Sequence, residues 1–253
     1  MSFTLTAKDY AEYIKLAYEL IHSKGDYITE LDSVTGDGDH WTNINMGFEN
    51  LVKNVDRLET MELSDEFKEI GKIMMSVIGG SSGVLYGSAY IAAAKALKGI
   101  EVLHDAELCT VLKAMLDAIV ARGQAKEGYK TMIDSLAPAV KKYEECLANG
   151  TPSAELCDLV KKAAEDGAEN TKNMEAIRGR ASYQANRGLG HLDPGAVTMS
   201  YHLLFCDETE QCRNCRVARK NIKVASVISN IEDRCVFRYI FRSLHRHGHP
   251  RQL

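Results

Sequence analysis

Apolar residues recur at helical spacing through nearly the whole of residues 1 to 180, and runs of β-branched residues in strict alternation are absent. That period is the mark of amphipathic helices, so the chain is read as all-α. Thr6 and Asp9 have the spacing of a capping box, and Tyr10, Tyr13, Ile14, Ala17, Leu20 and Ile21 then mark one face of a first helix that Lys24-Gly25 is expected to end. Ile44, Phe48, Leu51, Val52 and Val55 form a second stripe, and Ser64 is expected to cap a third containing Phe67, Ile70, Met74 and Val77. Residues 84 to 98 are rich in Ala and Gly on several faces, as a centrally packed fourth helix would be, and Leu108, Val111, Leu112, Met115 and Ile119 mark a fifth. Met132, Leu136, Val140, Tyr143 and Leu147 make a sixth stripe. Leu156, Leu159, Val160, Ala163 and Thr171 make a seventh after the start signal Thr151-Pro152-Ser153, and an eighth begins near Pro194.

Helices of similar length joined by short polar loops pack as antiparallel neighbours, so the expected architecture is a bundle or closed barrel of about eight helices. In that arrangement alternate loops gather at one end. The loops at 36 to 43, 79 to 83, 122 to 131 and 187 to 195 are alternate, and their glycine-rich motifs are expected to converge.

A length of 253 residues suits one sizeable core with an appendage. The formal net charge of −4 points neither to nucleic acid nor to an anionic membrane surface. The N-terminus has no basic stretch followed by an apolar run, and no apolar segment approaches the ~20 residues that span a bilayer. The expected location is the cytoplasm. The seven cysteines are odd in number and define no disulfide framework.

The chemistry concentrates between Leu31 and Asn43, where Asp32, Asp37 and Asp39 are crowded among Gly36 and Gly38. Carboxylates this close repel unless a cation relieves them, and an all-oxygen set suits a hard divalent ion, Mg²⁺ or Ca²⁺. Magnesium takes few carboxylates and completes its shell with water and phosphate, so a phosphate is expected nearby. Gly79-Gly80-Ser81-Ser82-Gly83 precedes the fourth helix and offers backbone N–H groups and two hydroxyls; by itself it is equally a flexible turn with a serine cap. Arg122-Gly123-Gln124-Ala125 and Lys130-Thr131-Met132 read locally as a helix stop and a helix start. Gly179-Arg180-Ala181-Ser182-Tyr183 leads into Gly188-Leu189-Gly190-His191-Leu192-Asp193-Pro194-Gly195, where Arg180 is either a phosphate partner or a plain surface arginine.

In order and spacing, these motifs over residues 5 to 200 resemble the nucleotide-binding L subunit (DhaL) family of dihydroxyacetone kinase. The resemblance implies a barrel of eight antiparallel helices, with Asp32, Asp37 and Asp39 holding two Mg²⁺ ions that bridge the diphosphate of ADP or ATP. It implies a nucleotide surrounded by His40, Trp41, Thr42, Asn43, Ser81, Ser82, Gly123, Met132, Arg180, Asp193 and Gly195. No base in this chain is assigned. In such a family the substrate sits on a separate K subunit, and in the phosphotransferase-linked type a third, M subunit rephosphorylates the bound ADP. A stand-alone L-type chain favours that type over an ATP-dependent kinase for another small ketose or a nucleotide-loaded regulatory subunit.

The sequence also departs from the family pattern. Trp41 stands where a small residue, commonly glycine, follows the histidine; its indole either meets the nucleotide base, crowds the site or covers the end of the second helix. Tyr129 replaces a frequent aspartate, and Gln184-Ala185-Asn186 replaces Leu-Gly-Glu. The chain divides by composition into a nucleotide-binding domain over 1–202 and an arginine- and cysteine-rich tail over 203–253. In that tail Cys206, Cys212, Cys215, Cys235, His245, His247 and His249 are open to a zinc reading. A frameshifted end and a substitute helix through Val224, Val227, Ile228, Ile231, Cys235, Tyr239 and Ile240 are the alternatives.

Overall fold

Helix α1 (Ala7–Ser23) starts on the capping box read from sequence: Thr6 Oγ1 accepts the Asp9 N–H at 3.3 Å, and the Asp9 carboxylate accepts the Thr6 N–H at 3.0 Å. Lys24-Gly25 does not lead into a loop. The chain turns a corner there, with Lys24 at φ −101°, ψ 15°, and continues at once as α2 (Gly25–Thr35), which buries Ile28 and Asp32. The helices that follow are α3 (His40–Lys53), the short α4 (Val55–Leu58), α5 (Leu63–Val77), α6 (Gly80–Ala96), α7 (Asp105–Gly123), α8 (Ile133–Ala148), α9 (Ser153–Asn170) and α10 (Pro194–His202). The computed structural model describes residues 4–203, all within the compact unit Met1–Glu210; the expectations for the tail, its zinc ligands and its substitute helix lie outside the described residues.

Several expected boundaries shift for local reasons. Val55 falls in α4, beyond the Asn54 cap of α3. Ser64 is not the cap of α5; Glu62 is, and the Ser64 hydroxyl instead donates to the Ala94 carbonyl of α6 at 2.8 Å. The Gly-Ser motif is not a loop before α6 but its cap and first turn, with Gly79 as N-cap. Thr171 caps α9 rather than lying in it. Pro138 sits inside α8 without breaking it. Its missing N–H frees the Asp134 carbonyl, against which Gly167 of α9 packs so closely that a Cβ would lie 2.2 Å away.

The long helices close a ring. α1 packs on α3, α3 on α5, and each neighbour from α5 to α10 on the next, until α10 returns to α1. α5 and α6 pack along each other across a connection of only Ile78 and Gly79, which makes them antiparallel. The eight-helix ring is thus present, and α2 and α4 bring the described residues to ten α-helices. No described helix is long and apolar enough to cross a membrane.

The ring encloses a small cavity of about 40 Å³ whose walls include Tyr10, Tyr13, Tyr86, Tyr90, Met199 and His202. The Tyr10 and Tyr90 hydroxyls pair at 2.8 Å, and the Tyr13 hydroxyl donates to the His202 carbonyl at 2.8 Å. His202 stacks on Tyr86 with ring centroids 4.8 Å apart, and burial pushes its imidazole down to about 3, so it is neutral at physiological pH. Glu66 of α5 is fully buried with neither carboxylate oxygen hydrogen-bonded, and desolvation pushes its carboxyl up to about 9.

Candidate functional site

Asp32 belongs to the last turn of α2, ahead of the loop at 36 to 43. Its Oδ2 accepts the His40 N–H at 3.0 Å, which fixes the buried carboxylate across the α2–α3 turn. Gly36 approaches so closely that a Cβ would lie 2.3 Å from Asp32 Oδ1, and Gly38 at φ +76° takes the left-handed conformation that folds the turn back. One oxygen each from Asp32, Asp37 and Asp39 then lie within 4.8 Å of one another, with Asp32 buried and the other two exposed. Arg180, in the 3₁₀ turn Arg180–Tyr183, pairs through Nη1 with Asp37 Oδ2 and reaches Asp39 Oδ2 through Nη2 at 3.6 Å.

His40, Trp41, Thr42 and Asn43 form the first turn of α3; the Asn43 N–H reaches the Asp39 carbonyl at 3.0 Å, and the N–H groups of Trp41 and Thr42 lack intrahelical acceptors. His40 Nε2 lies 2.9 Å from Thr198 Oγ1 of α10. The Thr198 hydroxyl also lies 3.1 Å from the Gly195 carbonyl, which accepts from it, and burial lowers the pKa of His40. The ring therefore braces α3 against α10. Thr198, which no motif announced, is its partner.

The Trp41 side chain is turned away from the aspartates, into the α1–α2 corner: Nε1 donates to the Ile21 carbonyl at 3.1 Å and the indole packs where a Cβ on Gly25 would come within 2.9 Å. Only its backbone N–H remains at the helix start. Asn43 and Gly79 touch, since a Cβ on Gly79 would lie 2.8 Å from Asn43 Oδ1. The N-terminus of α6, with exposed Ser81 and half-buried Ser82, accordingly lies beside that of α3.

The remaining motifs join the same end. Gly123 ends α7, Gln124 follows in the left-handed conformation, and the Gln124 carbonyl accepts Arg178 Nε at 3.1 Å. Met132, buried at the start of α8, packs against Gly195. Asp193 caps α10 by accepting the Ala196 N–H at 2.7 Å, and desolvation pushes its carboxyl up to about 7. Lys130, read locally as a helix start, is a buried clamp: its Nζ donates to the Thr171 carbonyl at 2.6 Å and to the His191 carbonyl. Desolvation lowers its pKa, opposed by the charges of Asp193 and Asp134. Thr171 Oγ1 in turn accepts the Asp193 N–H at 2.9 Å, so the 128–132 and 187–193 loops are tied as one piece.

Comparison with known proteins matches this architecture. The DAK2 domain profile matches residues 34–206. The chain is 39% identical to the ADP-binding subunit DhaL of a PEP-dependent dihydroxyacetone kinase from Listeria innocua, over 74% of this chain and 87% of that one. It is 32% identical to the corresponding Escherichia coli subunit, over 72% and 87%. Among solved structures, the dihydroxyacetone kinase of C. freundii in complex with AMP-PNP and Mg²⁺ superposes with a TM-score of 0.61 at 27% identity, covering 79% of this chain. The chain corresponds to only 33% of that kinase's length. A closed ring of helices, a carboxylate trio at one end and matches spanning most of the chain lead to one conclusion: it belongs to the DAK2-domain family, alongside the DhaL subunits of bacterial dihydroxyacetone kinases.

Proposed function

We propose that this chain is the ADP-binding subunit of a phosphoenolpyruvate-dependent dihydroxyacetone kinase. It relays a phosphoryl group from an M-type donor of the phosphotransferase system, through bound ADP/ATP, to dihydroxyacetone on a separate K subunit, and works in the cytoplasm. The observation that carries this reading is the clustering of three carboxylate oxygens within 4.8 Å beside two helix N-termini and Arg180. The donor set fits Mg²⁺: the oxygens are hard ligands, and Asp32 keeps lone pairs beyond the one used by the His40 N–H. Asp32, Asp37 and Asp39 would hold the metal, which would supply positive charge to neutralise the phosphates. Three aspartates with phosphate and water are enough to anchor two ions, the number the family resemblance implies.

The chain's own residues supply positioning. The free first-turn N–H groups of Trp41 and Thr42 on α3, with those of Ser81 and Ser82 and their hydroxyls on α6, are donors for phosphate oxygens. Arg180 adds charge-assisted donors. Asn43, Gly123, Met132, Asp193 and Gly195 would complete the surroundings of the nucleotide, and His40 braces the α3 start against α10. Phosphoryl transfer needs position and neutralised charge more than a base, so none is assigned.

Support for the phosphotransferase-linked type comes from DhaL subunits, of which the chain covers 82 to 94%. A second reading, ATP-dependent transfer to another small ketose, draws on 32% identity to a protein named as a 3,4-dihydroxy-2-butanone kinase from Solanum lycopersicum, of which the chain covers 30%. Reconstitution separates the two. Dihydroxyacetone phosphate is expected only when a K subunit, a phosphoenolpyruvate-charged M donor, Mg²⁺ and ADP are all present; transfer from ATP without the donor supports the second reading. Tight Mg·ADP binding with no transfer in any combination identifies a regulatory subunit and overturns both.

A further inference from the structure

Arg180 does not stand apart from the carboxylates. Its guanidinium spans Asp37 and Asp39, the two exposed members of the trio, while the third, Asp32, is held separately by the His40 N–H. The segment carrying Arg180 is anchored on both sides. Gln184 Nε2 donates to the Val34 carbonyl at 2.7 Å, Ile177 N–H to the Tyr129 carbonyl at 3.2 Å, and Ala176 N–H to the Arg187 carbonyl at 2.9 Å. The arginine is thus presented to the carboxylates by a fixed backbone, with its side chain exposed.

Resting on the nucleotide reading above, we propose that Arg180 is a specificity-determining residue that makes the site select a metal–nucleoside diphosphate complex over the free divalent cation. Without ligand the guanidinium is the resident counter-ion of Asp37 and Asp39. A bare cation that takes those oxygens must separate them from Arg180 and leaves it no new anion. A metal–diphosphate complex brings the anion with it: the guanidinium passes from carboxylate to phosphate, exchanging one charge-assisted pair for another. Metal and nucleotide therefore bind with positive coupling, and Arg180 is the source of part of it.

The test is calorimetric titration of the full chain and its R180Q variant with Mg²⁺ alone and with ADP in saturating Mg²⁺, at low ionic strength. Far-UV circular dichroism checks that the variant is folded, as its exposed position leads one to expect. Removing the competing cation should strengthen bare Mg²⁺ binding about two- to fivefold, the range of exposed ion pairs. Losing the phosphate partner should weaken Mg·ADP binding about tenfold or more. Changes of opposite sign support the proposal, because a merely structural loss or an arginine that serves phosphate alone does not strengthen the bare cation. R180K, which keeps the charge without the fork, should fall between the two. If R180Q leaves bare Mg²⁺ affinity unchanged or lowers it while wild type binds Mg·ADP, this inference fails alone. If wild type does not bind Mg·ADP at all, the functional reading fails and takes the inference with it.

Discussion

Single residues here carry costs that the fold accepts. Glu66 is the clearest: a fully buried carboxylate without a hydrogen-bond partner, held protonated by desolvation up to about pH 9. An unfolded glutamate ionises near pH ~4.3, so between that value and about 9 the folded state binds a proton that the unfolded state has released. This group's contribution to stability is therefore fully present below the unfolded value and is lost as pH rises through the window. E66Q should remove that slope and stabilise the protein by about 1–3 kcal/mol at pH 8, with little change at pH 5. Urea unfolding at both pH values checks it, and an unchanged pH slope in E66Q would refute the assignment. Trp41 is the opposite case, an apparent intruder at the site that proves to be a corner brace. W41F keeps the ring but loses the bond to the Ile21 carbonyl. It should cost about 1–2 kcal/mol of stability and leave Mg·ADP affinity within about twofold. A loss of nucleotide affinity tenfold or greater would return the indole to the site.

Elements show where local signals stop being enough. The α2–α3 turn sets the carboxylate geometry, and its tightest point is Gly36 against Asp32. G36A should drive the Asp32 carboxylate from its place and lower Mg²⁺ affinity more than about tenfold while helix content stays the same. Titration beside a circular dichroism spectrum reads both. The stripes of α1, α5, α7, α8 and α9 were legible because each buries one face. α2 was not: glycine at its start reads as a stop, and its inward face offers only Ile28, Leu31 and Thr35 around a polar Asp32. The meeting of glycine-rich motifs at one end was legible from alternate-loop topology, and the carboxylate trio from spacing. What was hidden depends on tertiary partners. Thr198 meets His40 across 158 positions, and Lys130 meets its two carbonyls across 41 and 61. Removing that clamp with K130M should strip the ammonium from both carbonyls, leaving Thr171 only the Met174 N–H at 3.1 Å, at about 2–4 kcal/mol, and speed hydrogen exchange in residues 171 to 193 more than elsewhere.

At the scale of the whole molecule, the ring's closure determines how the site is held. The trio sits on α2 and the α2–α3 turn, its opposing arginine on the loop between α9 and α10, and the two meet because α10 closes back on α1 and α2, with Gln184 tying that loop to the Val34 carbonyl. A polar tie marks that seam: the Tyr13 hydroxyl of α1 donates to the His202 carbonyl at the end of α10. Tyr13 also faces Tyr10, with ring centroids 5.1 Å apart, and lines the central cavity, so deleting its hydroxyl changes the seam without removing the ring that packs there. Y13F should lower global stability by about 1–2 kcal/mol. The signature is in how the loss is shared. A closed ring in which every helix leans on two neighbours unfolds as one cooperative unit, so the single Trp41 in the α1–α2 corner and the far-UV signal of all helices should report the same shifted midpoint. Two separated transitions in Y13F, with the tryptophan signal changing first, would mean that the α1–α10 seam opens independently and that the site is assembled by ring closure rather than preformed within a rigid ring.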